Sequence, residues 1–283
     1  MYYDDNPVSI KYHVKRYILQ HRREFLDKVV VDLPAGSGAT SQVLHDVGAI
    51  VHPFDLLPEY FKVDGLTCAR ANIREGLPVA EGFADIVFCQ EGIEHFSDQY
   101  RALQEFSRVL KPHGSLFLTT PNYSSLQARL SYFLFETEYH LKTMPMNEID
   151  SIWMSDESLT DEIYLGHLFL LGIQKLRLLA KLAGLEIKQI IATSASRTSI
   201  MILPFAYPII LLNNRWTYRN QVRRDHSIPG SPAEQVYREQ MRLNGNLRLL
   251  VDRHLFVEFT KEADPAAVRK TLRSRHTTFD MAT

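Results

Sequence analysis

The chain has 283 residues, 45% of them hydrophobic and 11% aromatic, enough apolar material to bury a full core and to set it apart from disordered chains. Its formal charge of -1 and pI near 6.8 exclude a global attraction to nucleic acid, so any charged partner must be met by a local patch. Cys68 and Cys89 sit in separate strand-like runs without a CxxC pair. No secretory pattern opens the chain, and no run reaches the roughly 18 apolar residues of a bilayer span. A cytoplasmic, reduced protein is expected.

Residues 8–27 place apolar side chains at helical spacing and predict an amphipathic helix leading into the first strand. Short β-branched runs then alternate with helical patterns: Lys28–Leu33, a helix from about Thr40, Ala49–Asp55, Leu66–Ala71, Ala84–Gln90, a helix near Asp98–Leu110, and Ser115–Thr120. The rhythm predicts an α/β fold with a doubly wound, mostly parallel sheet. Leu185–Ala192, after a helix over Ile173–Ala183, and His254–Thr260 complete it as a seven-stranded Rossmann-like sheet with an antiparallel last strand. The expected organisation is an N-terminal helical cap (1–27) and a core (28–192 plus 254–262). A substrate-side insertion (123–165), a helical insertion (193–253) and a C-terminal helix and tail (263–283) surround that core. Asp264-Pro265 reads as the start of the last helix.

The segment Val29–Gly38, V-V-V-D-L-P-A-G-S-G, is a strand that turns through Ala35, Gly36, Ser37 and Gly38 into a helix. Glycines there let backbone approach a ligand, although two glycines at such a junction also serve purely conformational ends. Asp55 and Leu56 close the second strand about 20 residues later, where a carboxylate meets ribose hydroxyls. Asp32, ahead of the glycines, would repel a pyrophosphate and suits a cationic, phosphate-free ligand. Asn72 and Ile73 follow the third strand as a polar and an apolar contact for an adenine.

With these residues, F-D-L at 54–56, A-N-I at 71–73 and D-I-V-F-C-Q-E-G-I-E-H-F at 85–96, the chain resembles the class I S-adenosylmethionine-dependent methyltransferases. The resemblance covers about residues 10–122 and resumes at 166–192 and 254–261. It implies S-adenosylmethionine as cofactor, S-adenosylhomocysteine as product, and Asp32, Ala35, Gly36, Ser37, Gly38, Asp55, Leu56, Asn72, Ile73 and Gln90 as the cofactor's neighbours. Pro34 stands where the family has glycine, and it removes one N–H.

Glu91, Glu94 and His95 lie at i, i+3 and i+4 and would share one face if the chain turns helical after the fourth strand. They read either as a cofactor contact beside a solvated helix start or as an open oxygen and nitrogen site for Mg2+ or Mn2+. The E-x-x-E-H pattern with a later His167 is similar to the plant small-RNA 2′-O-methyltransferases and the ubiquinone-pathway O-methyltransferases. That resemblance implies a metal held by Glu91, Glu94, His95 and His167 that grips neighbouring acceptor oxygens. Without a metal, His95 or His167 becomes the general base, with His140 a weaker candidate.

From Arg197 onward about 14 Lys and Arg face about 8 Asp and Glu, and the apolar run 200–212 precedes Arg215, Trp216, Arg219, Arg223 and Arg224. This part reads as a lid or oligomer contact, or as a patch peripheral to the cytoplasmic membrane face. The expectation is an O-methyltransferase acting on a sugar hydroxyl of a bacterial polysaccharide or glycolipid. A quinone or small-phenol O-methyltransferase is the alternative within the enzyme class. A non-catalytic cofactor-binding partner module is the alternative outside it. A small-molecule or glycan acceptor is expected, and nucleic acid is disfavoured by the acidic Tyr123–Tyr164 stretch.

Overall fold

The computed structural model describes residues 5–137, 167, 169–224 and 230–276. Seven strands form one sheet: β1 Val29–Asp32, β2 Ile50–Asp55, β3 Ala69–Arg70, β4 Ala84–Gln90, β5 Leu110–Pro121, β6 Leu185–Ile190 and β7 His254–Lys261. Their spatial order is β3-β2-β1-β4-β5-β7-β6. The first five are mutually parallel where they pair, and β7 runs antiparallel to both β5 and β6. The predicted sheet is therefore the observed one, with two differences. Of the expected third strand only Ala69–Arg70 pairs with β2. The fifth strand starts early, because Leu110 pairs with Ala84 before a register shift brings Ser115 opposite Ile86.

The helices cover both faces. The expected N-terminal helix divides at His21 into α1 (Ile10–Gln20) and α2 (Arg22–Phe25). Ser9 Oγ caps α1 by accepting from the Lys11 N–H, and the helix buries Ile10, Val14, Tyr17 and Ile18. Beneath it lies an aromatic cluster in which the Phe88 and Phe117 rings stack at 5.0 Å and Phe25 and Tyr17 pack at their edges. α3 (Ala39–Asp46) follows the glycine turn and packs beside α1. On the opposite face α4 (Gln99–Val109), capped by Asp98, buries Ala102, Leu103, Phe106 and Val109, and α6 (Ile173–Leu182) packs next to it. Between these two in the chain lies α5 (Leu126–Phe135).

The predicted helical insertion consists of α7 (Arg197–Arg224), α8 (Pro232–Asn244) and α9 (Leu247–Val251). Pro204 and Pro208 lie inside the first of these, and α7 continues through both. Both prolines are exposed. The insertion is tied to the core by polar contacts: Arg129 Nη2 donates to Asn244 Oδ1 at 3.0 Å, Gln174 Nε2 to the Gln240 carbonyl at 2.8 Å, and the buried Arg177 pairs with Glu239 at 2.5 Å. The last helix, α10 (Pro265–His276), begins where Asp264-Pro265 predicts. No helix of the described residues is long and apolar enough to cross a membrane.

Phe88 is fully buried between the Phe25 and Phe117 rings. Phe88→Ala should cost about 3–5 kcal/mol of stability, read as a lowered urea midpoint with an unchanged slope.

Candidate active site

Parallel pairing brings the carboxyl ends of β1, β2, β4 and β5 to one edge of the sheet, and antiparallel pairing brings the first residue of β7 there too, His254 opposite Pro121. After β1 the chain passes Asp32, a cis Leu33-Pro34 bond and the glycine turn, with Gly36 at φ 53° and Gly38 at φ 89°. At Gly38 an added Cβ would lie 2.3 Å from Val63 Cγ2 and 2.7 Å from Phe61 Cε2, so both the angle and the space require glycine. At Gly36 a Cβ would have no heavy atom within 4 Å, which leaves the top of the turn open. Pro34 packs where Gly92 leaves room: a Cβ on Gly92 would stand 2.3 Å from Pro34 Cδ.

Asp32 is 1% exposed and accepts a 2.5 Å hydrogen bond from Ser41 on Oδ2, while its buried Oδ1 has no partner among the described residues. Burial raises its pKa to about 7, and the charge of Asp55 adds to that against the Ser41 hydrogen bonds. Asp55 Oδ2 accepts from the Gly36 N–H at 2.7 Å and Oδ1 from the Leu57 N–H at 2.9 Å. These two bonds fix the carboxylate and leave each oxygen a lone pair for a ligand hydroxyl. Asn72 turns its amide onto its own loop, accepting from the Arg74 N–H at 3.1 Å and donating to Glu75 at 3.2 Å, and Ile73 is buried beside it. Gln90 Oε1 accepts from Thr40 at 2.5 Å, tying β4 to α3.

The second constellation differs from its expected form. Glu91 has φ 48°, so the chain does not turn helical from it, and only a 3-10 turn, Ile93–His95, follows. Glu91 instead faces β5 and β7: its Oε1 accepts from the Thr119 hydroxyl at 3.0 Å and its Oε2 lies 3.7 Å from His254 Nε2. Glu94, His95 and His167 do come together, each offering one ligand atom within 4.8 Å of the others. The expected four-residue set is thus three residues with Glu91 beside them.

Two backbone links bring His167 in. The Phe169 N–H donates to the Glu94 carbonyl at 3.1 Å, and Gln99 Nε2 donates to the Ile93 and Phe169 carbonyls at 3.0 and 2.5 Å. Glu94 is fully buried, with Oε2 held by the Thr120 hydroxyl at 3.0 Å and Oε1 without a partner among the described residues. Burial pushes its pKa well up, and the nearby Glu91 pushes the same way. Burial likewise raises Glu91, against its bond from Thr119. The His95 and His167 rings lie 5.1 Å apart, and burial followed by the neighbouring imidazole lowers His167 to about 4. His167 is therefore neutral at working pH, the form that ligates metals. His140 and most of the acidic Tyr123–Tyr164 stretch lie outside the described residues.

Thr40, Thr119, Thr120 and His254 escape the sequence reading. The alternation of β5 puts Thr119 and Thr120 on opposite faces, and only the sheet order shows that one reaches Glu91 and the other Glu94. His254 carries no local motif; its place follows from the reversed direction of β7.

Residues 31–118 match the family model described as Methyltransferase domain. Over that stretch the chain is similar to methyltransferase domains. The solved YcgJ protein from Bacillus subtilis has the same fold, with a TM-score of 0.53 and 16% identity over 89% of this chain and 99% of that one. Among curated proteins, a ubiquinone biosynthesis O-methyltransferase of Xanthomonas campestris pv. campestris is 30% identical over 149 residues. Its counterpart from Xanthomonas oryzae pv. oryzae is 31% identical over 149 residues. Each match spans 50% of this chain and 59% of the relative. The methyltransferase domain's cofactor is S-adenosylmethionine, and the site fits it: an unpartnered buried carboxylate oxygen on Asp32 for a cation, open space over Gly36, and Asp55 fixed for hydroxyls.

The state of Asp32 makes cofactor binding depend on pH. Its ligand-free pKa is about 7, and a cationic ligand selects the ionised form, so affinity should fall about tenfold per unit as pH drops below 7 and level off above it. Asp32→Asn should bind at least about tenfold more weakly and lose that dependence. Without ligand it should be the more stable protein at pH 8, because the folded state no longer holds an unmatched buried charge. Calorimetric titration across pH and thermal unfolding check both.

Proposed function

We propose that the chain is an S-adenosylmethionine-dependent O-methyltransferase, and that its acceptor is a small phenol with neighbouring oxygens, of the kind met in quinone synthesis. The observation that carries this is the cluster Glu94, His95 and His167 at the sheet edge that also holds the glycine turn. The curated relatives support a phenolic acceptor over the sugar hydroxyl expected from the sequence, since they are named as ubiquinone biosynthesis O-methyltransferases.

The donor set of one carboxylate and two imidazoles suits a divalent cation such as Mg2+ or Mn2+, and the unpartnered Glu94 Oε1 is the atom such an ion would satisfy. When bound, the ion would lower the pKa of an acceptor hydroxyl so that its oxygen reacts near neutral pH. The chain's own residues do the rest. Thr120 and the Phe169 backbone hold Glu94 and His167 in place. Asp32, Asp55 and the glycine turn orient the methyl donor, and confining donor and acceptor at one edge supplies the attack geometry. Glu91, held by Thr119 and close to His254, is a carboxylate beside the cluster able to take up the acceptor proton.

Methyl transfer to a vicinal dihydroxyphenol, to oligosaccharides and to RNA, assayed with and without EDTA, tests the reading. Transfer to the phenol should fall on chelation and return with Mg2+ or Mn2+. Glu94→Gln should lower it at least about 100-fold while leaving cofactor affinity within a few-fold. Transfer indifferent to both EDTA and Glu94→Gln would remove the metal, and transfer to oligosaccharide alone would restore the sugar acceptor.

A further inference from the structure

Helix α7 packs against the core with one side only. Along the other side Met201, Phe205, Ile209, Leu212 and Trp216 follow one another at helical spacing, each between 66% and 78% exposed. Phe133, at the end of the adjoining α5, adds a ring that is 83% exposed. Surface helices ordinarily turn polar residues to water, and a contiguous apolar stripe of this kind marks an interaction surface.

Charge decides what the surface meets. The 28 residues of α7 include five arginines and no aspartate, glutamate or lysine. Arg215, Arg219, Arg223 and Arg224 flank and follow Trp216 and are all exposed. A second copy of the chain would set this acid-free helix against itself, with no carboxylate on it to meet the arginines. An anionic lipid surface offers both things the helix lacks, an apolar layer for the stripe and negative headgroups for the arginines. At about 1.5 Å per residue the helix is roughly 42 Å long, yet it is not apolar enough to cross a membrane. It has the character of a helix lying in the plane of the interface.

We propose that α7, with the end of α5, docks this protein on the surface of an anionic bilayer, the stripe from Met201 to Trp216 entering the headgroup layer and the arginines holding acidic lipids. The docking does not depend on the transfer reaction, so it can fail or hold independently of the function proposed above.

Co-sedimentation of the full chain with phosphatidylcholine vesicles, with and without phosphatidylglycerol, tests it. Binding to the anionic vesicles is expected, weakened at least about tenfold by Arg219→Glu with Arg223→Glu. Phe205→Asp with Leu212→Asp should abolish it. Both apolar positions are exposed, so their thermal unfolding should match the parent's and a loss of binding is not a loss of fold. No binding by the parent, or binding unchanged in the Phe205→Asp/Leu212→Asp variant, overturns the proposal. So does a dimer that this variant dissociates without any vesicle binding by the parent, which would assign the face to a second copy.

Discussion

Burying a carboxylate away from any cation costs several kcal/mol, and this sheet edge does it twice, at Asp32 and at Glu94. Each keeps one oxygen satisfied by a hydroxyl, Ser41 for the first and Thr120 for the second, and leaves the other facing no donor among the described residues. The surrounding structure follows from holding those two oxygens in place. The glycine turn can pass close to Asp32 because Gly38 has no Cβ to strike Val63 and Phe61. The chain after β4 can bring Glu94 under β5 because Glu91 takes a positive φ and turns it there. A protein that keeps such groups charged needs positive ligands, and one that protonates them loses the attraction. Both carboxyl groups are accordingly displaced upward from their ordinary range.

The two oxygens divide the labour between them. The one on Asp32 belongs with Gly36 and Asp55, an arrangement of backbone and carboxylate suited to a cationic nucleoside. The one on Glu94 belongs with two imidazoles, a set suited to a hard or borderline cation. Glu91 is bonded to Thr119 and close to His254, and its charge is one of the causes that raise Glu94. Loss of a proton at either glutamate is thus felt at the other.

The insertion is attached to the same edge. Ser199, in the first turn of α7, accepts from the Gln127 N–H at 3.1 Å, and Asn122, just past β5, donates to the carbonyls of Leu249 and Asp252. The first turn of the long helix is therefore anchored beside the chain that leaves β5.

The sequence by itself determined the sheet and the cofactor turn. Alternating β-branched and helical runs with short connections permit few topologies. The glycines, Asp32 and Asp55 are close enough along the chain for spacing to carry their meaning. The chain sequence also held Glu94, His95 and His167 as candidates, but not their arrangement. A helical spacing suggested one face for Glu91, Glu94 and His95, and a single positive φ at Glu91 undid it. Only the tertiary structure decided that His167 joins the cluster, through the Phe169 and Gln99 bonds, that Thr120 reaches Glu94 from β5, and that Thr119 and His254 reach Glu91 from β5 and β7. Contacts between residues 26 or more positions apart rest on how strands and loops are arranged in space, which local pattern does not encode. The same holds for α7: two prolines in sequence argue for a break, and only the folded chain shows one helix running through both.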